Sequence, residues 1–149
     1  MIRLRRTITA FVLALAVLPL SAAAVPADTT TTSDAITAKA EVLQLLNSDS
    51  FEAQEQAIRL IGHYAHTDQF DEDFYGLMVT PLQYIVANSP HESLRIMAVS
   101  ALYSIGTDSA MRGLQAQVDV IDSERVAKVA KDALAQYATE RARAARTLP

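Results

Sequence analysis

Leu94-Arg95-Ile96-Met97-Ala98-Val99-Ser100-Ala101-Leu102-Tyr103-Ser104-Ile105-Gly106 is the stretch on which the fold turns. Residues 94, 98, 101, 102 and 105 are apolar and recur at helical spacing, which predicts an amphipathic α-helix. Ser89-Pro90-His91-Glu92 stands just before it, with a capping hydroxyl, a first-turn proline and an acid at N3. That is the clearest helix start in the chain.

The same pattern recurs on either side. Ala53-x3-Ala57-x2-Leu60-Ile61-x2-Tyr64 aligns with Leu94-x3-Ala98-x2-Ala101-Leu102-x2-Ile105 and with Val126-x3-Ala130-x2-Ala133-Leu134-x2-Tyr137, at offsets of 41 and 32 residues. Alanine falls in the middle each time, where a small side chain lets helices approach closely. Self-similarity at a period of this size is the mark of a repeat architecture. A first helix is expected before each copy: over about Ala35–Leu46 with Asp34 as its cap, through Phe74–Val86, and from Asp108 with Met111, Leu114, Val118 and Ile121 facing inward. Asp49 and Glu52 have capping-box spacing for the second helix of the first pair, and Asp122 is expected to cap the last helix. Pro81 interrupts the middle stripe, but Phe74, Leu77, Met78, Leu82, Ile85 and Val86 stay in register through it, which favours one helix over two.

The segment from Leu94 to Gly106 resembles the second (B) helix of a HEAT repeat, and Thr107-Asp108-Ser109-Ala110-Met111 resembles that family's turn into the next first (A) helix. The resemblance covers about Ala35–Ala138 and is sharpest in the middle pair. It implies an all-α fold, a short right-handed α-solenoid of about three helix pairs with the B helices on the concave side. It also implies protein binding, an analogy from fold to function. The family's usual Arg is present at Arg95, but Gln54 and Ala127 hold that position in the other pairs, so an ordered Arg–Asp ladder is not expected. An ordinary helical bundle is the alternative fold. The polar side chains Lys128, Lys131, Asp132 and Gln136 on the last helix suit the end of an array, which must face water.

Composition agrees with helices. Half of the 149 residues are hydrophobic, with only four Gly and five Pro, enough for one domain with a core. Cysteine is absent, which excludes disulfides, thiolate catalysis and Cys-ligated zinc. The start of the chain carries an address. Arg3, Arg5 and Arg6 precede an apolar run to Leu20 and small residues at 21–24, the pattern of a secretory signal peptide cleaved after Ala24 or Ala27. Residues 28–34 are expected as a disordered polar lead-in, 35–145 as the repeat domain and 146–149 as a tail.

Residues 1–27 contribute +3 to the formal net charge of −4, so the remainder carries −7. An acidic chain does not read as a nucleic-acid binder. The expected location is the periplasm or the outside of the cell, and the expected partner is another envelope or extracellular protein. Membrane contact after cleavage is not expected, because Arg141, Arg143 and Arg146 make too thin a basic patch.

No catalytic signature is present, and no cofactor is expected. His63 and His66 are three apart on one helix beside Asp68, Asp71, Glu72 and Asp73, so the alternative function is an exported helical enzyme or metal carrier using that pair. A structural oligomer stacked through solenoid ends is the third reading. The candidate binding face is the outer side of the B helices: Ile58, Ile96, Val99, Tyr103, Lys128 and Lys131. Its apolar members are expected to be exposed, since contiguous exposed apolar groups mark interfaces.

Overall fold

The computed structural model describes the backbone of residues 28–147 and the side chains of residues 36–146. The expected leader, residues 1–27, lies outside the described residues, as does the end of the 146–149 tail. The described chain is all-helical: α1 (Asp28–Leu46), α2 (Phe51–His66), α3 (Glu72–Asn88), α4 (Glu92–Ile105), α5 (Asp108–Gln117) and α6 (Glu124–Thr147).

The packing order is simple. α1 touches α3 and α3 touches α5; α2 touches α4 and α4 touches α6. Each odd helix also packs on the even helix that follows it, and α2–α3 and α4–α5 join one pair to the next. The helices thus form two layers, α1-α3-α5 over α2-α4-α6. Among the described residues the first pair makes no contact with the third. One continuous core runs through the layers. Ala57, Ala98 and Ala130 are each fully buried in it, so all three aligned alanines sit at close helix approaches.

Capping explains most boundaries. Ser50 accepts the Ala53 amide at 3.3 Å, Asp71 accepts the Phe74 amide at 2.9 Å and Thr107 accepts the Ala110 amide at 3.2 Å, each relieving an N-terminal donor that the helix cannot satisfy itself. α3 runs unbroken through Pro81. The Leu77 carbonyl, which loses its helical partner there, belongs to an exposed residue, so the missing bond is left on the wet side.

Several expectations are corrected. α1 begins at Asp28, so residues 28–34 are helical and not an irregular lead-in. A helix already formed over 36–46 extends at little cost, because propagation is far cheaper than nucleation. The cap of α4 is His91, which makes no side-chain cap bond; Ser89 instead accepts the His91 amide at 3.2 Å. α6 is capped by Ser123, whose hydroxyl accepts the Val126 amide at 3.3 Å, while Asp122 is engaged by Arg95. Leu77 is exposed, and its place in the core is taken by Tyr75 and Val79.

The largest correction concerns the candidate face. Ile58 is 3% exposed and Val99 0%, so neither is on a surface. The expected core of each even helix was drawn for its contact with the odd helix alone. The even helices also pack side by side, α2 on α4 and α4 on α6. That lateral contact consumes the residue one step beyond Ala57 and Ala98, and the buried sector of each helix widens to include it.

Candidate functional site

On the outer side of the even-helix layer, the surviving members of the expected face are Ile96 and Tyr103, both half-buried, and the exposed Lys128 and Lys131. α4 places Ile96 and Tyr103 seven residues apart, on one helical side, with Ser100 between them. Ser100 bonds the Ile96 carbonyl of its own helix at 3.1 Å, so it adds no apolar area.

The Tyr103 hydroxyl reaches across to α6 and donates to Glu140 Oε1 at 2.8 Å, where Gln136 Nε2 also donates at 3.1 Å. The bond to Glu140 raises the phenol above its usual range, and the bond from Tyr103 lowers the carboxyl below its own. The ring is therefore fixed by two attachments, its half-buried edge and this bond. Lys128 donates to Asp132 at 2.7 Å, which raises the ammonium pKa. On α2, Arg59 pairs with Glu55 at 2.7 Å on the same helix. The face is thus mixed in charge, with one ordered aromatic near its middle.

Arg95 holds the layers together behind it. This guanidinium is 7% exposed; its Nε donates to the Val86 carbonyl at the end of α3 at 2.7 Å, and Nη1 meets Asp122 at 2.6 Å. The bond from Arg95 holds the Asp122 carboxyl below the usual range. Gln54, at the aligned position of α2, plays half of this role, donating to the Ser48 carbonyl at 2.9 Å and the Leu46 carbonyl at 3.4 Å at the end of α1. One Arg–Asp rung is present, joining the middle pair to the last, although no ladder was expected.

A second concavity was not foreseen. A cleft of about 780 Å³ opens at the edge where the α2–α3 and α4–α5 turns meet α6. Phe70 and Tyr75 line it, and Tyr64 and Phe74 pack against them: Phe70 stacks on Phe74 at 4.2 Å, Tyr64 meets Phe70 edge-on at 4.9 Å, and Phe74 meets Tyr75 edge-on at 5.3 Å. Asp68 sits on the rim with φ of 50°, in the left-handed position of a helix end where the Gln69 amide bonds the Tyr64 carbonyl at 3.1 Å. Across the cleft, Asp108 accepts from Tyr137 at 2.8 Å and from Arg141, whose guanidinium also lies 5.8 Å from the Tyr137 ring centre.

The sequence carried a signal for this cluster. Residues 74–75, 78–79, 82 and 85–86 form a stripe two residues wide, which buries Tyr75; a one-residue stripe through Leu77 misses it. The separation of Phe70 from Phe74 by one helical turn was a second clue.

His63 and His66 are both exposed, and among the described residues no three His, Asp or Glu side chains converge on one point. No helix of the described residues is long and apolar enough to cross a membrane. No family model, no curated protein and no solved structure matches the chain.

Proposed function

We propose that this chain is an exported protein–protein interaction module, a short right-handed α-solenoid of three HEAT-like helix pairs that docks a partner on its even-helix face. One observation supports the architecture: among the described residues each helix pair touches its neighbours alone, and the first does not meet the third. A closed bundle would bring all helices around one shared core, whereas an array has contacts between successive units alone. The buried alanines at the three aligned positions and the charged outer side of α6 support the same reading. The basic, apolar and small-residue order of residues 1–27 supports export to the periplasm or beyond.

Tyr103 is the best placed anchor on the face. It comes from the central α4, its ring is held in one orientation by Glu140, and Ile96 lies on the same side. A pre-ordered aromatic with a wet hydroxyl is the chemistry that binding hot spots favour. Lys128 and Lys131 flank it on one side and the acidic first pair on the other, so a partner of mixed charge would dock in one orientation.

The test uses the exported protein as bait in envelope extract. Tyr103→Ala should weaken capture of the partner by about tenfold, a hot-spot-scale loss, and should cost about 1–2 kcal/mol of stability as the half-buried ring and its bond to Glu140 are lost, so capture is compared where both proteins are fully folded. Unchanged capture with an unchanged fold would place the working surface elsewhere. The purified product should begin at Val25 or Asp28, and an intact Met1 on a soluble cytoplasmic product overturns the export reading.

A further inference from the structure

The middle helix of the odd layer, α3, turns an uncharged side to the solvent. That side carries Gly76, Leu77, Thr80, Pro81, Tyr84 and Ala87. Leu77 is 43% exposed and Tyr84 68%, and half-buried Pro81 bridges them at helical spacing. No Asp, Glu, Lys or Arg occurs from Phe74 to Pro90, in a chain of which 20% is charged. Pro81 also withholds an amide from the Leu77 carbonyl, so a backbone acceptor opens on the same stripe. A contiguous exposed apolar stripe marks an interaction surface.

Charge and shape identify the occupant. A charged partner surface finds nothing to pair with here, whereas a second uncharged stripe buries no unmatched charge. The stripe also complements itself. Gly76 and Tyr84 stand on either side of Thr80 along one i±4 ridge, so two copies laid antiparallel about Thr80 bring Tyr84 of each beside Gly76 of the other. The gap is real: a Cβ at Gly76 would meet no atom within 4 Å. Asp73, the first acid beyond the stripe, falls at the rim opposite Ala87, and the two Asp73 carboxylates stay about 21 Å apart. The 17 residues of α3 span about 25 Å, and three odd helices side by side about 27 Å. The layer thus offers roughly 700 Å² per copy, close to the ~800 Å² per partner of a stable interface.

We propose that two copies of the chain pair through this face, odd layer on odd layer, with their α3 helices antiparallel and a two-fold axis at Thr80. Such a contact is isologous and closes at two copies. It leaves both even-helix faces turned outward, and it does not depend on those faces docking a partner.

Sedimentation of the purified protein over a dilution series should show a monomer–dimer equilibrium. Tyr84→Glu places a charge at the centre of the contact and should weaken the dimer by about tenfold or more. Gly76→Leu fills the gap that receives Tyr84 and should weaken it severalfold, while melting in dilute solution holds or rises, because leucine is the better helix former. The natural chain has no cysteine, so single cysteines report the register. Thr80→Cys lies on the axis and should give a disulfide-linked dimer under mild oxidation. Asn88→Cys should not, since its two copies would be about 24 Å apart and a bridge needs Cα atoms within about 7 Å. A monomer at every concentration, which would leave the stripe to another protein or to a lipid surface, overturns the proposal. So does association that Tyr84→Glu leaves intact, the mark of pairing through the array ends. Failure to bridge at 80, or bridging at 88 as fast as at 80, overturns it equally.

Discussion

α4 and α6 carry the same spacing of small and large apolar residues and live in different surroundings. Among the described residues α4 touches α2, α3, α5 and α6, whereas α6 touches α4 and α5 alone. Leu102 and Ala101 of α4 are buried, but their counterparts in α6, Leu134 and Ala133, are half-exposed. α6 also outruns its neighbour. Its 24 residues against 14 for α4 correspond to about 36 Å against about 21 Å, and every described side chain from Ala138 onward is exposed. One sequence pattern therefore specifies a position in a layer, while the neighbours decide how much stabilisation that position yields.

The sharpest way to break this comparison is at the matched leucines. Leu102→Ala should cost about 2–5 kcal/mol, because the cavity it leaves is closed on all sides. Leu134→Ala, at a half-wet site, should cost about 1–2 kcal/mol, the loss of partial burial with no enclosed void. Urea denaturation of the two variants measures the gap directly. Equal losses would show that α6 is as deeply embedded as α4 and would count against the open-ended array.

The second largest effect concerns a residue that α6 lacks altogether. Arg95 in α4 aligns with Ala127 in α6, and Arg95 ties the end of α3 to the start of α6. Arg95→Met should cost about 1–3 kcal/mol, because the Val86 carbonyl loses its donor in a buried setting. Removing a buried guanidinium with one unpartnered nitrogen, Nη2, returns part of that loss. A variant more stable than the parent would show that desolvation outweighs the bonds.

How much of this was visible in the sequence follows from which forces were local. The helix periods, the aligned Ala57, Ala98 and Ala130, and the start of α5 after Thr107 depend on residues within a few positions of each other, and they were legible. The burial of Ile58 and Val99 depends on helices packing side by side in one layer, an inter-helix geometry that a single-helix pattern does not contain. The same is true of Asp122, which reads as a cap by spacing but is taken by Arg95 from 27 positions earlier. The cleft needed three separate segments to meet, so Tyr75, Asp108 and Arg141 carried no common signal, although the wide stripe of α3 pointed to a buried Tyr75. For the binding face, the residues that a lone helix could place, Ile96 and Tyr103, remain on the surface.

A smaller effect lies at the helix ends. α4 turns out through Gly106 at φ of 64°, and α2 through Asp68 at φ of 50°. Left-handed backbone costs a residue with a Cβ about 1–2 kcal/mol, which Gly avoids and Asp partly offsets by local bonding. Gly106→Ala should therefore destabilise by about 1 kcal/mol. Asp68→Gly should stabilise by a few tenths of a kcal/mol at most, since the added freedom of the unfolded chain opposes the relief. Thermal melting of both variants would show whether the two turns, alike in backbone, differ in strain.

The smallest effect appears only on acidification, and it isolates the tie between α4 and α6. The hydrogen bond from Arg95 depresses the folded-state pKa of Asp122, so the carboxylate is favoured by folding. A group depressed in this way contributes stability that is fully present above the unfolded aspartate range, about 3.9, and is lost as pH falls through the lower folded value. Asp122→Asn should thus be less stable than the parent from pH 7 down to about 5, and the two should converge as the parent's Asp122 protonates. Among the described residues Glu52 and Glu140 are also depressed, by its own backbone amide and by Tyr103 respectively, and the variant keeps both of these contributions to the acid limb. Arg95→Met removes the same depression from the other side. It should show the same shallower limb despite its larger loss at neutral pH. Denaturant titrations across this range, on both single variants and the double variant, separate the pair from its surroundings. A stability gap between parent and Asp122→Asn that does not change with pH would mean that Asp122 acts through loop packing and not through its charge.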